Sequence, residues 1–184
     1  MDFARKYTVD EVAAMREHAQ LIGGMLVIQD YTTQSHNDAV YVLESAFRDH
    51  IRKNGGDCTV SRENVALWCR DIHADCSHEF YMPDLMVTCD RSGVKDDGIH
   101  VAPDFVAEVV SEGSREDDYN RKLLVYRKLG VKEYWIFDIE KGLAIQHLLR
   151  EDYISHYYFN PAEIAIGIYD NELVIDTSEI YGSI

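Results

Sequence analysis

Three side chains in this sequence could do chemistry together: Asp84, Glu108 and Lys122. If the apolar segments flanking residues 90–101 pair as an antiparallel hairpin, opposed positions have numbers summing to about 191 or 192. Asp84 then faces residue 107 or 108, and Glu108 is there. Opposed Cβ atoms lie about 5 Å apart, near enough for two carboxylates to share one cation. Facing carboxylates repel unless something positive sits between them. A hard divalent ion such as Mg²⁺ takes oxygen ligands and keeps several waters, and Mn²⁺ accepts the same oxygen donors. The backbone carbonyl of Val109 could add a ligand. Read more plainly, both acids are ordinary charges at strand ends. That reading suits Glu108 less well, because it lies within Val106-Ala107-Glu108-Val109-Val110, where a carboxylate needs a partner.

Lys122 has Asp118 and Tyr126 four residues to either side, on the same helical face. It could reach the strand ends from that helix and supply a cation beside a phosphate. On spacing alone, a solvated lysine of a basic helix is the simpler reading. Asp104 shares strand parity with Glu108 but stands roughly 13 Å away along a strand, so a structural or turn role is expected. His36 and Glu44, on an earlier helix, are weaker candidates read as capping or surface residues.

These residues need strands and helices to carry them. Thr8 with Glu11 forms a capping-box pattern that opens a short helix to about His18. A strand is expected over Leu21–Gln29, with a turn or bulge at Gly23-Gly24. Ser35 with Asp38 reads as a second helix start. Val40, Leu43, Phe47 and Ile51 then recur at helical spacing up to Asn54-Gly55-Gly56. Strand regions follow at Cys58–Trp68, Tyr81–Cys89 and Val101–Ser111, the last two joined through Asp96-Asp97-Gly98. A helix from about Asp117 to Leu129 is closed by Gly130. Tyr134-Trp135-Ile136-Phe137 is the apolar run of a strand covered on both faces. Ala144–Ile175 reads as further strands or hairpins, broken at Asn160-Pro161 and Asp170-Asn171. The order predicts an α/β or α+β fold around a mixed sheet, in a single domain over residues 1–184.

The four cysteines, at 58, 69, 76 and 89, are expected as free thiols in a cytoplasmic chain. Cys69, His73, Cys76 and His78 have zinc-ligand chemistry, but Cys76 and His78 stand too close for common zinc spacings, so an incidental polar loop is the expectation. Neither a transmembrane run nor a signal peptide is read. The net charge of −15 argues against a protein that coats nucleic acid. One stretch differs: residues 115–132 hold six basic against three acidic residues, +3, leaving −18 elsewhere. Arg115 and Arg121 within it are candidate phosphate contacts. The twelve tyrosines and the apolar C-terminal strands would suit a homodimer.

The segments Pro83-Asp84-Leu85-Met86-Val87-Thr88-Cys89-Asp90, Pro103-Asp104-Phe105-Val106-Ala107-Glu108-Val109-Val110-Ser111 and Gly130–Asp138 closely resemble the Uma-type family of candidate bacterial endonucleases. Asp118 with Lys122 and Tyr126, the Gly24-Met25-Leu26-Val27 strand and His36 at the next helix extend the likeness over nearly the whole chain. That family lies in the restriction-endonuclease-like PD-(D/E)XK group. The resemblance implies a mixed central β-sheet flanked by helices, with additional β-hairpins. It makes Asp84 the first acid and Glu108 the second. Val110 stands where the motif lysine usually stands, and Lys122 replaces it from the helix. The implied activity is Mg²⁺-dependent hydrolysis of phosphodiester bonds in nucleic acid, DNA before RNA, with Asp118 or Tyr126 holding Lys122 in place. A noncatalytic relative that binds nucleic acid or protein, and a hydrolase of small phosphoesters, are the alternatives. Relief of the paired charges predicts that Asp84→Ala leaves metal-free stability unchanged or slightly improved.

Overall fold

The computed structural model describes residues 5–15, 17–28, 32–150 and 153–181. Helix α1 (Val9–Ala13) starts at the expected capping box, in which the Thr8 side chain accepts from the Glu11 amide and the Glu11 carboxylate accepts from the Thr8 amide. It ends at Ala13, short of His18. The expected single strand over Leu21–Gln29 is instead a hairpin of β1 (Ala19–Ile22) and β2 (Met25–Ile28), and Gln29 lies outside the described residues. Gly23 and Gly24 both have positive φ, 58° and 77°, as a tight two-residue hairpin turn requires.

Helix α2 (Gln34–Asn54) is capped by Thr33, whose hydroxyl accepts from the His36 amide, and not by Ser35. It closes at Gly55 in the left-handed conformation, where glycine carries no Cβ penalty. Its buried side chains are His36, Ala39, Val40, Leu43 and Phe47. Full burial of a residue such as Phe47 contributes about 1.5–3 kcal/mol.

Next come β3 (Thr59–Arg62), α3 (Cys69–Ile72), β4 (Leu85–Thr88), the small hairpin of β5 (Val94–Lys95) and β6 (Gly98–Ile99), and β7 (Phe105–Val109). Of the expected strand Cys58–Trp68, Thr59–Arg62 forms a strand and Leu67 makes isolated bridges to Tyr81 and Ile99. A π-helical turn over Asp117–Arg121 runs directly into α4 (Lys122–Leu129), which Gly130 ends in the left-handed conformation. The chain finishes with β8 (Glu133–Asp138), β9 (Leu143–Leu148), β10 (Ile154–Phe159), β11 (Glu163–Ile166), β12 (Leu173–Asp176) and α5 (Ser178–Tyr181).

Six strands form the central mixed sheet in the order β10-β9-β8-β7-β4-β3. Only β7 and β8 run parallel, and α4 makes the crossover between them. β8 is buried along its whole length because both faces of the sheet are covered. Trp135 and Phe137 pack with α2, α5 and the β11–β12 hairpin, while Tyr134 and Ile136 pack with α4. The fold is α+β, a mixed sheet between helices with additional hairpins, as expected.

The cysteines depart from expectation. Cys58 and Cys89 extend the β3–β4 ladder by one pair beyond Thr59↔Thr88, and they are joined as a disulfide. Cys69 and Cys76 are free and buried. The β3–β4 register sets this pairing, and the register on the other side of β4, against β7, sets the site.

Candidate active site

In the β4–β7 ladder Leu85 pairs with Ala107 and Met86 with Val106, so the next pair beyond the ladder is Asp84 with Glu108. Both face the α4 side of the sheet, as Val106 and Met86 do. The Val109 amide donates to Asp84 Oδ2 at 2.7 Å. His36 reaches the same oxygen from the N-terminal turn of α2, with Nε2 at 3.2 Å. From the other side, α4 sends Lys122 Nζ to 2.9 Å from Glu108 Oε1 and 2.7 Å from Asp118 Oδ1. The Tyr126 hydroxyl donates to Glu108 Oε1 at 2.6 Å, and the Tyr134 hydroxyl donates to the Asp118 carbonyl at 2.9 Å. Lys122 is 2% exposed, Glu108 and Asp118 1% each, and Asp84 6%.

Buried charge dominates the electrostatics. Lys122 pairs with Glu108 and Asp118, and Asp84 lies close by, all four side chains buried. Burial opposes the charge on Lys122, but Asp118, Glu108 and Asp84 together push its pKa upward, so it keeps its proton. Burial pushes the Glu108 carboxyl up to about 8; Lys122 opposes that shift, while Asp118 and Asp84 add to it. Asp118 is raised as well, chiefly by burial. Burial works against a charge on His36, yet the Asp84 hydrogen bond and the Asp84, Glu108 and Glu63 charges leave its pKa raised.

The sequence placed several of these groups and misplaced others. Asp118 holds Lys122, whereas Tyr126 holds Glu108. His36, read as a cap or surface residue, is buried against Asp84. The signal was present, since His36 stands three, four and seven residues before Ala39, Val40 and Leu43 on the buried face of α2. Glu44 is bound by Arg48 and Arg62. Asp104 lies at the other end of β7, accepting from the Cys89 amide at 2.7 Å and pairing with Lys132. Val110 packs against the core and donates its amide to the Phe137 carbonyl. The basic stretch is largely internally neutralised: Arg115 pairs with Asp138 and Glu140, Arg121 with Asp117, and Lys128 with Asp75.

The sequence profile of the Uma2 family, described as "Putative restriction endonuclease", matches residues 8–167. The chain belongs to the Uma2 family. A solved structure described as "a putative nuclease belonging to DUF820", from Anabaena variabilis ATCC 29413, has a TM-score of 0.74 against it. The two share 15% identity over 96% of this chain and 98% of that one, a likeness that establishes the fold. No curated protein matches.

The donor set of this Uma2-family site is selective for the kind of cation it could take. Among the described residues no three His, Cys, Asp or Glu side chains form a metal-ligating group, which does not suit zinc at this position or at Cys69–His78. Two opposed carboxylates do suit Mg²⁺, which is commonly held by one or two carboxylates and keeps its waters. Asp84 and Glu108 each commit one oxygen to the hydrogen bonds above. Their second oxygens, Oδ1 and Oε2, take part in none of the hydrogen bonds described for the site.

Two expectations follow for the metal-free protein. The Val109 amide revises the outlook for Asp84→Ala, because removing the acceptor leaves a buried N–H unsatisfied at about 1–3 kcal/mol. Asp84→Asn keeps an oxygen there and relieves the charge, so in urea titrations it should be at least as stable as wild type, with Asp84→Ala less stable than either. Equal midpoints for the two variants would dismiss that hydrogen bond. The second expectation concerns pH. Unfolded, Glu108 loses its proton near 4.5; folded, it keeps it to about 8. Between those values the native state binds more protons, so stability should fall as pH rises from 4.5 to about 8. The raised Asp118 and His36 act in the same direction. Urea midpoints in EDTA across that range test it, and a rising profile would contradict it.

Proposed function

We propose that this Uma2-family chain is a metal-dependent endonuclease that hydrolyses phosphodiester bonds of nucleic acid, with DNA as the first substrate to test. The observation that carries this reading is the convergence of three buried carboxyl groups, Asp84, Glu108 and Asp118, on Lys122. A buried ion cluster contributes little stability compared with apolar packing, so this one has the character of a working site. Asp84 and Glu108, with the Val109 carbonyl, would hold Mg²⁺ or Mn²⁺, which when bound would acidify a water toward neutral pH and polarise a phosphate oxygen.

The protein's own groups do the rest. Lys122 orients the attacking water and offsets charge on the pentavalent transition state. Asp118 and Tyr126 fix Lys122 and Glu108 so that neither has to reorganise during the reaction. His36 holds Asp84 through Nε2. Arg121, with its side chain 47% exposed, is the better placed of the two arginines to meet a neighbouring phosphate.

A noncatalytic nucleic-acid-binding role is the second reading. The net charge of −15 and the internally paired cations favour it. One experiment separates the two: incubation of purified protein with supercoiled plasmid and single-stranded DNA, in Mg²⁺, Mn²⁺ or EDTA, with Asp84→Asn alongside. Metal-dependent cutting that Asp84→Asn abolishes is the expected result. Metal binding without cutting moves the substrate to RNA or small phosphoesters, and no metal binding at all supports the noncatalytic role.

A further inference from the structure

We infer that the outer edge of β10 is a self-association surface, through which two copies of this chain join their sheets about a two-fold axis. The inference is independent of the chemistry proposed above. β10 is the terminal strand of the six-stranded sheet, and its sequence, Ile154-Ser155-His156-Tyr157-Tyr158-Phe159, contains no Lys, Arg, Asp, Glu or Pro. Strand edges left to solvent are normally guarded by charge, proline or a bulge. Here the reverse holds. Tyr153, Ile154, Tyr157 and Phe159 are four of the eight most exposed large apolar side chains among the described residues, at 37, 46, 61 and 76%.

The backbone shows why the partner is a second copy. Asn160 donates its amide to the Gly142 carbonyl at 2.7 Å, one pair beyond Phe159↔Leu143. Alternation along an antiparallel ladder then turns the N–H and C=O of Tyr158, His156 and Ile154 toward β9, and those of Ser155, Tyr157 and Phe159 outward. This outward set is symmetric about Tyr157. A two-fold axis there sets Tyr157 against its copy and Ser155 against Phe159 of the other chain, so each outward donor meets an acceptor. An isologous interface needs this self-complementarity. Because the strand is uncharged, two strongly acidic chains meet here without like charges directly opposed. Nucleic acid fits the edge less well, since no basic residue lies on it to take a phosphate.

The test uses the full chain. Sedimentation should give a dimer for wild type. For Tyr157→Lys it should give a monomer with an unchanged far-ultraviolet spectrum, the dissociation constant rising about tenfold or more, equivalent to at least about 1.4 kcal/mol. Tyr157→Cys should cross-link to itself under mild oxidation, because hydrogen-bonded antiparallel partners have Cα atoms about 5.5 Å apart, within reach of a disulfide. Tyr41→Cys, exposed on α2, is the control that should not cross-link. A wild-type monomer, a dimer indifferent to Tyr157→Lys, or equal cross-linking at both positions would overturn the inference. So would β10 amides that gain protection from hydrogen exchange only when a single-stranded oligonucleotide is added, since that outcome gives the edge to nucleic acid.

Discussion

Lys122→Met should reduce metal-dependent cleavage by about 10²–10³-fold, the scale on which a preorganised charge at a developing anion acts, and should destabilise the metal-free fold as well. Methionine keeps the length of the buried stem but removes the permanent cation that, among the described residues, lies within 3 Å of both Asp118 and Glu108. Taking one partner out of a buried ion cluster costs about 3–5 kcal/mol, because the charges left behind cannot return to water. The remaining carboxyls will bind protons instead, so the stability deficit should be largest at pH 8 and smaller at pH 5. Urea unfolding at both values and plasmid cleavage in Mg²⁺ provide the two measurements. A variant as stable as wild type at pH 8 would show that Lys122 does not neutralise this site. Normal cutting by a folded variant would remove it from the mechanism.

Glu133→Ala should have the opposite profile, with a large loss of stability and no change in cleavage per folded molecule. Glu133 begins β8 and is 1% exposed, on the face of the sheet away from Lys122. Its Oε1 accepts from Trp135 Nε1 at 2.6 Å, Gln146 Nε2 at 2.7 Å and the Gly167 amide at 3.1 Å; its Oε2 accepts from the Ile168 amide at 2.8 Å. One carboxylate thus ties β8 and β9 to the turn that follows β11. Alanine leaves four donors without an acceptor. Each unsatisfied buried group costs about 1–3 kcal/mol, and after relaxation the total should be about 3–5 kcal/mol, at the severe end for single substitutions. Thermal and urea midpoints test the first half, and cleavage normalised to folded protein tests the second. A loss under about 1 kcal/mol would mean that water replaces the carboxylate there.

The sequence made the site legible where a local rule carried the information. Antiparallel register follows from arithmetic once two strands are assumed, and it brought Asp84 opposite Glu108. Helical periodicity put Asp118, Lys122 and Tyr126 on one face. It could not say which neighbour each would bond, since that depends on how α4 sits on the sheet. His36 is obscured for another reason: a histidine next to a helix cap has a sufficient local explanation, which masks its position on the buried stripe of α2. Tyr134 was read only as apolar bulk, because the acceptor of its hydroxyl, the Asp118 carbonyl, lies sixteen residues earlier in the chain. Cys58 and Cys89 are thirty-one residues apart, and their pairing depends on β3 joining β4, a contact that the periodicity of neither strand announces. Arg115 and Arg121 looked like a free basic stretch because a linear count of charge ignores the acids folded against it.

The π-helical turn before Lys122 has a consequence for how this family's sequences should be aligned. Such a turn is one residue fuller than an α-turn, and it lies between the loop after β7 and the helix that carries the lysine. A homologue shorter by one residue between Ser111 and Lys122 could lose the π-turn, keep every strand and the whole of α4, and still hold its lysine against Glu108. Gap placement in that short interval therefore decides whether a relative is aligned as having a lysine at the position of Lys122.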